Sequence, residues 1–209
     1  MRLAISRGLT IVFYGVLLVG MLGWPAPTRA QLGTTTLVTT WITTAALADT
    51  GTLAAGSSGA LQASALAGNI PAALLAGDVL HATTIGYPNQ IDSEASLADL
   101  SLGAAGTTIG AAFVMARASE VLGSAGAGSA EVDNLSINGI PVVVTGAPNQ
   151  SISIPGGGAM ILNEQQMLPD GTIVVNALHI TVPGVEDVVI ATATAGSSGG
   201  RAAAVRASF

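Results

Sequence analysis

The feature that most constrains this chain is Asn138-Gly139, an Asn-Gly pair set between runs of branched residues. Asn-Gly tolerates positive φ at two successive positions, which a tight β-hairpin turn demands and which few other dipeptides supply. The pair lies in a longer pattern. From Ser129 to Ala195, short runs rich in Val, Ile and Thr alternate with Pro148-Asn149, Pro155-Gly156-Gly157-Gly158, Pro169-Asp170-Gly171 and Pro183-Gly184. Branched side chains suit a pleated, half-buried surface, and these dipeptides supply the turns between strands. Strands at this spacing predict an all-β fold, an antiparallel β-sandwich or jelly-roll-like unit with Ala/Gly-rich loops and at most short helices.

Within that stretch the pattern predicts a hairpin of Glu131–Ile137 with Ile140–Thr145, with Pro141 marking an edge or bulge. Further strands are expected at Ser151–Ile154, Ala159–Gln165, Thr172–Val182 and Asp187–Thr194. Strict alternation along Thr172–Val182 puts Ile173, Val175, Ala177, His179 and Thr181 on one face, opposite Val174, Asn176, Leu178, Ile180 and Val182. Gly196-Ser197-Ser198-Gly199-Gly200 reads as the start of a flexible tail, 197–209.

Earlier in the chain, Thr34–Thr44 and Asp78–Ile85 read as strands, and Ala45–Gly68 as short strands and loops. Asn69 and Gly77 are placed to cap and terminate a single helical turn between them. Alternation over Ser93–Leu102 sets Glu94, Ser96, Ala98, Leu100 and Leu102 against Ala95, Leu97, Asp99 and Ser101. Thr107–Leu122 has the propensity of a helix in its second half, but Gly110, Thr107-Thr108-Ile109 and its strand neighbours favour a strand. Leu97–Leu102 (LADLSL) is echoed by Val132–Ile137 (VDNLSI), too short a match to support a repeat architecture.

Arg2 and Arg7 precede the apolar stretch Leu9–Gly23, and a Pro-rich exit leads to Ala30. That order is the order of a secretory signal, so residues 1–30 are expected to be removed, with the domain spanning 31–196. Three of the six arginines and none of the twelve acids lie in that leader, leaving 3 − 12 = −9 on the remainder. Lysine is absent. Such a charge balance excludes a basic nucleic-acid groove. No later run is long and apolar enough to span a bilayer, so no transmembrane segment is expected after cleavage. The absence of cysteine excludes disulfides and thiolate chemistry.

Candidate chemistry is sparse. His81 and His179 are the histidines, and neither has ligand-type residues at metal-site spacing. Gly56-Ser57-Ser58-Gly59 and Gly196-Ser197-Ser198-Gly199 are not nucleophile elbows, and Gly156-Gly157-Gly158 is followed by no Lys, so it is a turn and not a phosphate loop. Glu131, Asp133, Glu164, Glu186 and Asp187 are the candidates for a glycosidase-type carboxylate pair, but their placement beside turns fits solvated caps better; Asp187 with Glu186, or Asp133, offers at most a weak loop site for calcium. No catalytic, cofactor-binding or metal residue is assigned, and no cofactor is expected.

The ordered pieces Leu135-Ser136-Ile137-Asn138-Gly139, Pro148-Asn149-Gln150, Leu162-Asn163-Glu164-Gln165, Val175–Val182 and Asp187–Ile190 resemble the C-terminal part of the choice-of-anchor P family of bacterial secreted or surface proteins. The resemblance implies location and class, and no activity. This chain departs from the family pattern in lacking both cysteines and an anchoring tail, which favours release or retention by assembly. The resulting expectation is a non-enzymatic, exported structural or cell-surface protein, secreted or retained in the periplasm. Its partners would be copies of itself or another surface protein. The alternatives are a carbohydrate- or protein-binding module, needing a patch lined by Trp41, Tyr87 or Asn side chains, and a hydrolase, needing His81 or His179 against a Ser or acid in a pocket.

Overall fold

The computed structural model of the protein describes residues 44–70, 75–104, 106–182 and 186–208. The expected signal segment, Trp41 and nearly all of the Thr34–Thr44 strand lie outside these residues. Among the described residues thirteen strands occur, in the order β1 Thr44–Asp49, β2 Gly59–Ile70, β3 Leu75–Tyr87, β4 Gln90–Ala104, β5 Thr107–Val121, β6 Ala127–Asp133, β7 Ser136–Ile137, β8 Ile140–Pro141, β9 Gln150–Ile154, β10 Gly158–Met167, β11 Ile173–Val182, β12 Glu186–Gly196 and β13 Gly199–Ser208. No helix occurs among the described residues.

The strands form two antiparallel sheets, packed face to face. One runs β1-β13-β12-β11-β10-β9; the other runs β2-β3-β4-β5-β7-β8, with β6 also paired to β5. Strands β12 and β13 lie over β3, β4 and β5, and β11 lies over β5 and β6. The fold is therefore a β-sandwich, as the turn-punctuated pattern predicts. Both sheets are sequential meanders, the first closed at its end by β1 on β13, without the crossing strand order of a jelly roll.

Several local expectations are corrected. The segment 197–209 is no flexible tail: Gly199–Ser208 is β13, paired with β1 on one side and β12 on the other, with Ala202, Ala203, Ala204 and Val205 fully buried. Its Gly/Ala composition resembles a linker, but in a core of small residues those methyls are what fits. The helical turn expected between Asn69 and Gly77 centres on residues 71–74, outside the described residues; its flanks, Asn69-Ile70 and Leu75–Gly77, are strand, paired with each other across β2 and β3. The first arm of the Asn-Gly hairpin divides at Asn134 into β6 and β7, both paired to β5. The turn itself is as expected, with φ of 52° at Asn138 and 74° at Gly139.

The strict alternation expected in β4 and β11 also breaks, for one reason. Residues Asn163 of β10 and Ala191 of β12 have left-handed φ of 48° and 52°, and so does Ala48 of β1 at 48°. The ladder registers align them in a single row across the sheet: Asn163, Ala177, Ala191, Ala204 and Ala48. Each strand has one extra residue at this crease, so the inward face changes phase there. In β11 the buried set is Ile173, Val175, Ala177, then Leu178, Ile180 and Val182. Two successive side chains must then turn inward, which leaves room for only a methyl on one of them. That accounts for the four alanines in the row.

The second sheet has its own crease, at Val79 (φ 49°) of β3 and Asp99 (φ 48°) of β4. In β4 the inward residues are consequently Ile91, Ser93, Ala95 and Leu97, then Leu100, Leu102 and Ala104. The echo between LADLSL and VDNLSI now has a structural meaning. It superposes Asp99 on Asn134 (φ 53°), two left-handed residues each followed by a buried leucine, Leu100 or Leu135. Asp and Asn enter this backbone region more readily than other side-chain-bearing residues.

Leu80, Leu97, Ile109, Leu162, Leu178, Ile180 and Ile190 form the bulk of the core, and alanines fill the gaps between them. The sheets approach closely where β6 crosses β11: a Cβ on Gly128 would lie 2.2 Å from Val175 Cγ2. The chain ends of the first sheet are pinned by Asp49 of β1, which accepts from Arg201 Nε of β13 at 2.9 Å and pairs also with its Nη2. Burial works against ionising Asp49, but the Arg201 bonds and the Gly51 amide together hold its carboxyl below the usual range.

Candidate functional site

The crease decides where the polar side chains of β10, β11 and β12 emerge. Beyond Ala177 the phase change turns His179 outward, on the same face as Glu164 of β10 and Asp187 of β12. His179 Nδ1 lies 2.8 Å from Glu164 Oε2, and Nε2 lies 2.9 Å from Asp187 Oδ1. Asn176 Nδ2 donates to the same Glu164 oxygen at 2.6 Å, while Thr192 Oγ1 donates to Asn176 Oδ1 at 2.6 Å. One hydrogen-bonded chain thus runs Thr192–Asn176–Glu164–His179–Asp187, across three adjacent strands.

The chemistry of this chain follows from donor and acceptor counting. A neutral imidazole carries one N–H, so the ring bonds both carboxylates at once only as imidazolium. Each nitrogen faces an acid, and neither is directed at a nucleophile; the nearest hydroxyl, Thr181 Oγ1, is 3.4 Å from Nε2. The carboxylates lie on opposite sides of the ring, an arrangement unlike a shared metal centre, and no cluster of three His, Cys, Asp or Glu with metal-holding geometry occurs among the described residues. The network fits a polar clasp that ties three strands on the outer face.

A shallow hollow of about 270 Å³ adjoins it, lined in part by Asn176, Asp187, Thr192 and Arg206, and His179 does not line it. A larger hollow of about 530 Å³ lies over the second sheet, on Thr83, Ile85, Asp92, Glu94, Arg117 and Ser119. Within it Arg117 Nε bonds Glu94 Oε2 at 2.5 Å, and Gln90 Nε2 holds Asp92 at 2.9 and 3.0 Å beside it. His81 Nε2 is 2.7 Å from Thr83 Oγ1. Tyr87 is exposed on the same strand but outside the hollow, and no Asn lines it.

Of the residues singled out from sequence, His179, Glu164 and Asp187 converge, while Glu131 and Asp133 stand apart from them on β6. Asp187, one of the residues offered as a loop ligand for calcium, bonds His179 through Oδ1. Asn176 and Thr192 were not legible as partners. Hairpin counting about the Pro169-Asp170-Gly171 turn could have placed Asn176 opposite Glu164, a pairing the ladder contains. The phase change that brings His179 to the same face has no comparable signal.

No family model, curated protein or solved structure matches this chain.

Proposed function

We propose that this is an exported, non-enzymatic structural or surface protein that associates with copies of itself by strand pairing. The observation that carries the proposal is β2. This strand is twelve residues long, ends the second sheet among the described residues, and contains no charged residue and no proline. Leu66 on it is 88 % exposed. Edge strands offer unpaired N–H and C=O groups to any other chain, and monomeric proteins ordinarily blunt them with charge, proline or brevity. The other edges among the described residues have such protection: β1 and β9 are six and five residues long, β8 is two residues including Pro141, and β6, paired only to β5, carries Glu131 and Asp133. The leader-like order of residues 1–30 supports export, and the committed nitrogens of His179 support a structural use of the polar clasp.

The test is the mass of the protein beginning at Gln31, measured by light scattering with chromatography across concentration and accompanied by negative-stain imaging. The expected result is concentration-dependent oligomers or filaments that dissociate in the double variant Gln62→Lys/Leu66→Lys. A wild-type protein that stays monomeric at about 1 mM, a concentration at which even weak contacts are populated, would reject the proposal. A second reading, a binding module for an uncharged oligosaccharide, is favoured by the hollow over Asp92, Glu94 and Arg117. It predicts a monomer that binds soluble glycans.

A further inference from the structure

At one end of the sandwich, the β5–β6 connection packs against the β10–β11 turn, Gly126 N donating to Gly171 O at 3.1 Å. Under that contact is Glu120, the last inward residue of β5. It exposes 2 % of its surface, and its Oε2 has no hydrogen-bond partner. The second such atom among the described residues belongs to the same corner: Thr172 Oγ1, also buried and without a geometrically formed bond. Around them are further oxygens. Glu120 Oε1 is 4.0 Å and Ser124 O 3.3 Å from where a Cβ of Gly171 would stand. Asp170 is exposed at the mouth, its Oδ1 accepting from Thr172 N at 3.0 Å and its Oδ2 from Ser197 Oγ at 3.3 Å, and the Thr172 hydroxyl lies beside it.

Two carboxylates, a hydroxyl and a main-chain carbonyl therefore belong to one corner, and no donor reaches Glu120 Oε2. The chain has no lysine, and no arginine among the described residues offsets Glu120; Asp170 lies close enough to it to oppose its ionisation, and burial does so more strongly. An unpaired charge in such a place is costly, and so is an orphaned buried acceptor. An oxygen-only set of mixed carboxylate, hydroxyl and carbonyl ligands is the chemistry of a hard divalent cation, calcium above magnesium because the set is irregular.

We infer that Glu120, Asp170, Thr172 Oγ1 and Ser124 O form a calcium site that staples the β5–β6 connection to the β10–β11 turn. It is separate from the His179 clasp and does not depend on the assembly proposal.

Thermal unfolding at fixed ionic strength, in EDTA and in 10 mM calcium chloride, tests it. With a Kd near 10⁻⁴ M, typical of extracellular sites, calcium should raise the Tm by roughly 5–10 °C, and magnesium by much less. Glu120→Gln should abolish the calcium shift while unfolding in EDTA no earlier than wild type, because the orphaned charge is gone. Asp187→Asn should leave the shift intact. Should Glu120→Gln fail to fold, titration calorimetry of calcium into wild type and into Asp170→Asn replaces it, with one site per chain and about tenfold weaker binding in the variant expected. Absence of a calcium shift in wild type would overturn the inference and assign the corner to a protonated carboxyl. A shift that survives Glu120→Gln would place the ion elsewhere and overturn it equally.

Discussion

Ala177 and Ala191 are adjacent members of the crease row, both fully buried, and differ in one respect: Ala191 has φ of 52° and Ala177 is not left-handed. Replacing each with glycine isolates the cost of that backbone state. At Ala177 the substitution removes a buried methyl, about 0.8 kcal/mol, and adds about 0.5–1 kcal/mol of backbone entropy to the unfolded chain. A destabilisation of about 1.5 kcal/mol is expected from these two terms. At Ala191 the same two costs apply, but glycine also relieves a left-handed conformation that costs an L-residue roughly 1–2 kcal/mol. The terms nearly cancel, and the variant should lie within about 0.5 kcal/mol of wild type. Urea unfolding monitored by far-ultraviolet circular dichroism measures both, provided the slopes agree so that midpoint shifts report stability. Equal destabilisation of the two variants would refute the argument, because it would mean that Ala191 stores no strain and that the crease has another cause.

Two further outcomes follow from the fold. Deleting residues 199–209 removes a strand that lies between β1 and β12, so the truncated protein should lose its cooperative unfolding transition, where removal of a linker would leave it unchanged; differential scanning calorimetry distinguishes the two. The Asp49 carboxyl is held below its unfolded range, so the pair with Arg201 stabilises the protein above the unfolded value and loses that contribution as pH falls through the folded one. Arg201→Met, which leaves Asp49 buried without its partner, should cost about 1–3 kcal/mol at pH 7. The difference from wild type in unfolding free energy should shrink below roughly pH 4; a difference that is constant down to pH 2 would show that the charge on Asp49 is not what Arg201 stabilises.

The Asn-Gly turn, the Pro- and Gly-marked strand boundaries and the strand identity of Thr107–Val121 were legible in the sequence because each rests on local backbone chemistry. Asn138-Gly139 enters positive φ readily, and Thr107-Thr108-Ile109 favours a strand locally, while the helix propensity of the second half of that run was outweighed by Gly110 and by its strand neighbours. The candidate sites were legible only as separate residues. His179 stood on its strand in the sequence, but its partners come from β10 and β12, and Glu120 gave no sign that it would be enclosed by a turn fifty residues away.

By itself the sequence determined the class of the protein: local turn and strand preferences are properties of two to ten residues, and a chain with this alternation has only sheets to build. The tertiary structure alone decided which face each residue joins. A left-handed residue in one strand is held there by the ladder on either side, and the row from Asn163 to Ala48 exists only once five strands are aligned. The same alignment made a core strand of Gly199–Ser208, since its glycines and alanines have no preference strong enough to declare a strand until two neighbours close around them.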